Sequence, residues 1–337
     1  MPESKEIAAA NALKNGRVAV IGDMMLDVYL WGAVNRISPE APVPVVDVRK
    51  RTCCPGGAAN VMRNIATLNA HAKAFGVIGN DITGSDLTAQ LQNYGVDTCG
   101  IICADDRRTT EKCRVIAGAQ QLLRADFEDK IPVKAELKQQ MVDNICRLIR
   151  EKAINAVIFD DYAKGTLDRD MLAQIIAVAK EYGVITVLDP KPKPGGVQPV
   201  AGLTLLKPNR SEAFALAGIP DPGPADSPAN DTALRQAAET IFERWQPENL
   251  LISLAGQGMI LYPASGSPTV IPTRAREVFD VSGAGDTVAA VCTLAIATGS
   301  TPELAAELAN RAAGVVVAKI GTAPILFDEL IAELKNI

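Results

Sequence analysis

The stretch Asp280-Val281-Ser282-Gly283-Ala284-Gly285-Asp286 places an acid beside a run of small residues at the expected start of a helix. It follows an extended run (Glu277, Val278, Phe279) and leads into an apolar, Ala-rich helix predicted to begin near Thr287. Small side chains at 282–285 let main-chain N–H groups crowd together at a helix N-terminus, where free donors and partial positive charge suit a phosphate or a developing oxyanion. A carboxylate beside such an anion hole makes chemical sense if Asp286 takes a proton from a hydroxyl while Gly283, Ala284 and Gly285 stabilise a transferring phosphoryl group. The plain alternative is a Gly-rich turn with an acidic helix cap.

The elements that must hold this stretch are those of a large α/β chain. The 337 residues are 48% apolar, enough for one large domain with an appendage or for two domains. A net charge of −5 argues against a nucleic-acid partner. The N-terminus mixes charges (Glu3, Lys5, Glu6) without an apolar core, so no signal peptide is expected. No run reaches the roughly 18 apolar residues a membrane span needs. Seven cysteines include no CxxC pair and are read as reduced thiols of a cytoplasmic protein. His71 is the sole histidine, so any chemistry must run on carboxylates, Lys, Arg and backbone rather than on a Ser-His or Cys-His dyad.

Residues 1–16 read as a helical lead-in. Arg17–Ile21 is a buried strand ending at Gly22-Asp23, with Asp27 close behind, at a sheet edge where α/β folds bind ligands. Residues 28–55, with Pro39, Pro42 and Pro44 and then Pro55-Gly56-Gly57, read as short strands and turns. A second β segment spans about 96–128, in which Lys112 and Arg114 alternate with Cys113 and Val115. The two segments are expected to pair into a small sheet beside the main body, a lid. Gly56-Gly57-Ala58-Ala59-Asn60 opens a helix through about Asn69. Strand Ala72–Ile78 follows. From 137 onward helices (137–152, 168–182, 209–217, 231–245) alternate with strands (Ala156–Phe159, Val184–Leu188, Leu203–Leu206, Leu250–Leu254), which predicts a doubly wound, mostly parallel sheet. Strands near 259–262 and 269–271 precede the opening stretch, and helices at 302–318 and 326–335 end the chain. The whole is read as a single domain, 1–337.

Further polar groups fall at strand ends. Asp160-Asp161-Tyr162-Ala163-Lys164-Gly165 and Asp189-Pro190-Lys191 bring carboxylates and lysines to one edge, where magnesium and phosphate could be held. In Pro208-Asn209-Arg210-Ser211-Glu212 the spacing is that of a capping box, which alone explains it. Ser253 through Gly258, with Gly256 between, resembles a phosphate-cradling loop, weak evidence on its own. No GxxxxGK[ST] occurs, and the nearest approach to GxGxxG, at Gly283, lacks its third glycine.

Taken in order, the sets GD…D at 22–27, GGxxN at 56–60, PNxxE at 208–212 and GAGD at 283–286 resemble the ribokinase family of sugar kinases across nearly the whole chain. The resemblance implies a doubly wound α/β domain with a small β-sheet lid, and ATP-dependent phosphoryl transfer to a sugar hydroxyl. It makes Asp286 the general base and Gly283, Ala284 and Gly285 the anion hole. Asn209 and Glu212 would place Mg²⁺ and its waters; Asp189, Lys191, Ser253, Gly256, Gly258 and Asn310 would lie on the nucleotide side. Asp23, Asp27, Gly56, Gly57 and Asn60 would hold the sugar. The need for a monovalent cation is left open.

A narrower match runs through Arg36-Ile37-Ser38-Pro39-Glu40-Ala41-Pro42-Val43-Pro44-Val45, Pro55 to Asn60, and Asp161-Tyr162-Ala163-Lys164-Gly165. These are similar to the bacterial D-glycero-D-manno-heptose-7-phosphate kinases, which phosphorylate O1 on the route to ADP-heptose for lipopolysaccharide core. Many relatives carry a nucleotidyltransferase domain as well, so the chain is expected to be either a stand-alone enzyme or a trimmed part of a longer one. A sugar with a 7-phosphate needs cations remote from the anion hole; Lys112, Arg114, Arg36 and Lys164 are the candidates, with Asp161 on the same side. A homodimer through the lid is the family expectation. The alternatives are another sugar or sugar-phosphate kinase of the same family, and a non-catalytic sensor on its fold.

Overall fold

The computed structural model describes residues 4–335 apart from positions 119, 195, 276 and 277. Residues 1–3 of the expected lead-in and Glu277 therefore lie outside the described residues. Among the described residues thirteen strands form two sheets.

The large sheet runs β13 (Thr269–Ile271), β12 (Met259–Pro263), β11 (Asn249–Ser253), β10 (Leu205–Leu206), β9 (Ile185–Asp189), β8 (Ala156–Asp160), β1 (Arg17–Gly22), β4 (His71–Gly79), β5 (Asp97–Ala104). All neighbours from β11 to β5 are parallel; β12 and β13 close one edge antiparallel. The central parallel strands β1, β8, β10 and β11 are mostly apolar and buried because helices cover both faces. The chain builds outward from β1 through β4 and β5, then returns to its other flank with β8. Strand order thus reverses beside β1, and the crevice outside the carboxyl ends there is the expected ligand site of such a sheet.

The small sheet has the order β3 (Pro44–Gly57), β2 (Met24–Ile37), β6 (Thr110–Ala117), β7 (Gln120–Phe127). It is the expected lid, with two corrections. The segment 28–55 is not a set of short strands: β2 and β3 are fourteen residues each, with Pro39 and Pro42 in the turn, closed by Ser38 N–H on Val43 O at 2.8 Å, and Pro44 and Pro55 within β3. The second segment is split. Asp97–Ala104 pairs with β4 as the edge of the large sheet, and only β6 and β7 join the lid. The cause is a helix the sequence reading passed over, Ile82–Asn93, capped by Asp81, which makes a crossover from β4 to β5. Its run of Thr, Ser, Asp and Gln carries a weak apolar stripe. Val278 and Phe279 are irregular rather than extended strand and stand exposed.

The lid is an insertion at the site itself. β2 leaves β1 through Asp23, and β3 returns directly into the helix Ala58–Thr67. All seven cysteines are free thiols. Among the described residues no helix is long and apolar enough to cross a membrane.

Candidate functional site

Three adjacent strands deliver the acidic floor. Gly22, Asp160 and Asp189 stand side by side in register at the ends of β1, β8 and β9. Asp160 is fully buried, and among the described residues neither carboxylate oxygen has a hydrogen-bond partner. Asp189 pairs with the buried Lys207, which follows β10, at 2.8 Å. Carboxylate oxygens of Asp160, Asp189 and Asp286 lie within 4.8 Å of one another. At that separation two unit charges repel by about 3.5 kcal/mol at an effective dielectric near 20. Burial and these neighbours together hold the Asp160 carboxyl well above the ordinary carboxylate range.

Asp286 sits in the first turn of the helix Ala284–Ala297 and is buried. Asn60 Nδ2 donates to its Oδ2 at 2.7 Å and the Tyr162 hydroxyl to its Oδ1 at 2.9 Å. Burial raises its proton affinity, with Asp189 adding to the effect, while the two donors and Lys207 oppose it; the result is a carboxyl pushed up to about 6. The helix is apolar all round and packs on Ala58–Thr67, whose alanines allow the approach that brings Asn60 to Asp286. Gly283 has φ 79°, and a Cβ there would lie 2.7 Å from Asn60 Nδ2. The N–H of Ala284 closes a turn onto Val281 O at 3.2 Å. Among the described residues the N–H groups of Gly283, Gly285 and Asp286 have no partner, so the open donors are these rather than 283–285 in sequence.

An open cleft of about 1010 Å³ extends from this floor along the carboxyl edge. Lys191, Asn209, Glu212, Ser253, Gly256, Gly258 and Asn310 all line it, as the sequence predicts for a nucleotide side. Asn209 and Glu212 form a full capping box: Asn209 Oδ1 accepts from Glu212 N–H and Glu212 Oε2 from Asn209 N–H, both at 2.9 Å. The other Glu212 oxygen takes Lys191 at 2.6 Å. Each Glu212 oxygen already accepts one hydrogen bond and keeps a lone pair for a polar ligand in the cleft or its waters. Asn310 is tied to Pro272 O at 2.7 Å.

The lid side is more divided than the sequence suggests. Asp23 accepts backbone N–H from Tyr162, Lys164 and Thr166 at 2.9, 3.0 and 3.2 Å, so it holds the 162–166 loop in shape. Asp161 likewise accepts from Ala163 and Val197, both at 2.8 Å, and burial raises it to about 6. Asp27 pairs with Arg114 at 2.6 Å, and a Cβ on Gly56 would come within 2.5 Å of its Oδ2. Gly57, at φ 54°, abuts the Asp23 carbonyl, which a Cβ would meet at 2.6 Å. Lys164 pairs with Glu128. Lys112 has no ion-pair partner among the described residues; its ammonium stands 5.9 Å from the centre of the Tyr162 ring. Arg36 is not brought to this cluster. It is exposed at the tip of the β2–β3 ribbon, roughly 30 Å along the strand from Asp27.

An acid at about 6 beside open N–H donors, at the floor of an open cleft, can deprotonate an alcohol facing an anion. Comparison with known proteins agrees. The model of the pfkB family carbohydrate kinases matches residues 15–328. The chain belongs to the pfkB family of carbohydrate kinases. It is similar to the bifunctional protein HldE of Desulfatibacillum aliphaticivorans (41% identical over 322 residues, 95% of this chain and 63% of that protein). It is similar as well to that of Caulobacter sp. strain K31 (42% over 327 residues, 95% and 63%). The chain thus spans less than two thirds of these relatives. In fold it matches Escherichia coli phosphofructokinase-2 in complex with substrates and products (TM-score 0.74, 19% identical, 95% of this chain and 98% of that one). Arabidopsis thaliana ribokinase complexed with ribose and ATP matches with TM-score 0.70, 18% identity, and 96% and 100% coverage.

This pfkB kinase is an ATP-dependent carbohydrate kinase on a ribokinase-like fold. Its site also contains residues sequence reasoning did not assign. Tyr162 stands in a polar strand end without a role of its own, and Asp160 is read there only as one of the carboxylates that could hold magnesium. Lys207 directly precedes Pro208, and a lone lysine at a two-residue strand end carries no signal of its own.

Proposed function

We propose that this kinase transfers the γ-phosphoryl group of ATP to O1 of D-glycero-D-manno-heptose 7-phosphate, giving the 1,7-bisphosphate on the route to ADP-heptose for lipopolysaccharide core. The observation that carries the reading is the position of Asp286. It lies at the floor of the cleft and accepts from Tyr162, whose ring faces the ammonium of Lys112, a lysine without an ion-pair partner among the described residues. HldE-named relatives at about 40% identity support the sugar class.

In this reading ATP lies along the cleft past Lys191, Ser253 and Gly256. Asp286 accepts the O1 proton, held for it by Asn60 and Tyr162. The open N–H groups at the helix start receive the transferring group's charge. Lys207 keeps the floor from repelling the phosphates. The orphaned oxygens of Asp160 beside Asp189 fit a hard divalent cation, so Mg²⁺ would be held there, with Asn209 and Glu212 reached through its waters. Its chemistry is neutralisation of phosphate charge.

Because the base works ionised, turnover is expected to be full above pH 7 and to fall as pH drops through about 6. A pH–kcat profile with no acid limb between 5 and 7 would contradict the assignment.

Lys112, half-buried and without a carboxylate partner among the described residues, is the anchor for the remote phosphate. Lys112→Ala is expected to raise KM for the sugar phosphate about 10–100-fold, the worth of one charged hydrogen bond, with KM for ATP unchanged. Equal rises in both would remove it from the phosphate site. Initial rates of ADP release with heptose 7-phosphate, ribose and fructose 6-phosphate test the substrate itself.

The lid is the surface for a second copy. Val34, Ile37, Val43, Val48 and Leu123 are exposed on it, around a hollow of about 490 Å³ lined by Ala33, Val34, Pro44 and Leu122. Sedimentation at micromolar concentration is expected to give a dimer, and a monomer alone would refute this.

A further inference from the structure

Arg63 lies on the helix Ala58–Thr67, one turn beyond Asn60, and is 2% exposed. A buried guanidinium ordinarily faces a carboxylate. Among the described residues this one makes no ion pair: its Nη2 donates to Asn60 Oδ1 at 2.6 Å and to the Thr322 carbonyl at 2.5 Å, and its Nε has no partner. The neighbouring Cys54 thiol is pushed up to about 11 by burial, so it remains neutral and supplies no counter-charge.

A guanidinium has donors only. Opposite it Asn60 must present oxygen, which turns the Asn60 NH₂ toward Asp286. Asn64, one turn along, acts in the same sense but more weakly, its Nδ2 reaching Asn60 Oδ1 only at 3.4 Å against 2.6 Å for Arg63. Its own oxygen is taken by Ile325 N–H at 3.0 Å and the Thr287 hydroxyl at 3.2 Å, so its amide nitrogen faces Asn60 and donates to that residue's carbonyl at 2.9 Å. A flipped Asn60 would set NH₂ against guanidinium and oxygen against carboxylate, two repulsive contacts at hydrogen-bond distance.

We infer that Arg63 is a positioning residue for Asp286, acting through the Asn60 amide: it fixes that amide in the one orientation that donates to the carboxylate. The inference rests on the proposed role of Asp286 and extends it to a residue that touches neither substrate.

The test is a double-mutant cycle read in kcat and KM. Arg63→Met is expected to lower kcat about 10–100-fold and to leave KM for ATP within about twofold. Arg63→Lys, also a donor-only cation, is expected to recover most of the loss. Asn60→Ala combined with Arg63→Met is expected to turn over at the rate of Asn60→Ala alone, because the arginine acts only through that amide. Multiplying effects, or an Arg63→Met enzyme with wild-type kcat, would overturn the inference. Should Arg63→Met fail to fold, the cycle is run with Arg63→Gln, whose polar neutral amide can present either end to Asn60; the same loss and the same non-additivity are expected, and multiplication again overturns the inference. Failure of the underlying reading is separable, because it appears as retained turnover in Asp286→Asn whatever Arg63 does.

Discussion

Asp286→Asn is expected to keep KM for ATP and sugar phosphate near wild type and to lose roughly 10³–10⁴-fold in kcat, the upper range for a positioned base. The substitution is nearly isosteric and its surroundings can receive it. The new amide oxygen can accept from Asn60 Nδ2, and the new NH₂ can donate to the Tyr162 hydroxyl oxygen, which also accepts. What disappears is the ability to take a proton. The same change removes one of three crowded carboxylates. A carboxyl whose folded pKa is raised binds its proton more tightly in the native than in the unfolded state, so its ionisation costs stability above about pH 6. The variant is therefore expected to melt higher than wild type at pH 8, with the advantage fading toward pH 4. A protein that is stabler and inactive would separate lost chemistry from lost fold. Near-normal kcat would remove Asp286 from the mechanism.

Lys207→Met should be the most damaging single change to the floor of the site. Lys207 is buried and pairs with Asp189 at 2.8 Å, within reach of the charges of Glu212 and Asp286. Removing one partner of a buried pair leaves an uncompensated charge, at a cost of about 3–5 kcal/mol. Here the orphan would be Asp189, already beside Asp160 and Asp286. The native carboxyls then gain proton affinity, so the native state binds more protons than the unfolded chain, and stability rises as pH falls. Urea unfolding is expected to show the full loss at pH 8 and a smaller one at pH 5. An equal loss at both values, or a larger one at pH 5, would mean that Lys207 is not the counter-charge of these acids. Activity should fall with it, since two or three carboxylates without their cation would repel the incoming phosphates.

The residues legible in the sequence were those whose type is constrained by backbone as much as by chemistry. Gly283 and Gly57 need positive φ and tolerate no Cβ, and such positions mark themselves in a chain. Asn209 and Glu212 are joined by a local cap with fixed spacing, which the structure retains in full. The parallel sheet followed from apolar runs at regular intervals. What stayed hidden was formed by long-range approach. Arg63 and Asn60 are adjacent on one helix face, but their meaning comes from Asp286, 226 residues from Asn60. Lys207 acquires its role only because β9 and β10 are neighbours. The reading of Arg36 with Lys112 failed because equal character in two lid segments says nothing about distance along a fourteen-residue ribbon. Asp23 and Asp161 were recognised as strand-end acids, yet the backbone donors that occupy them lie in loops whose course no local pattern reveals.

The reaction product tests the central claim most directly. Phosphorus NMR of a mixture of ATP, Mg²⁺, heptose 7-phosphate and enzyme is predicted to show ATP loss matched by a new phosphomonoester coupled to the anomeric proton. With the Asp286→Asn protein that signal should be absent over the same time. Phosphate arriving at another hydroxyl, no transfer to this sugar while ribose or fructose 6-phosphate is consumed, or the same product formed at the wild-type rate without Asp286 would contradict the account.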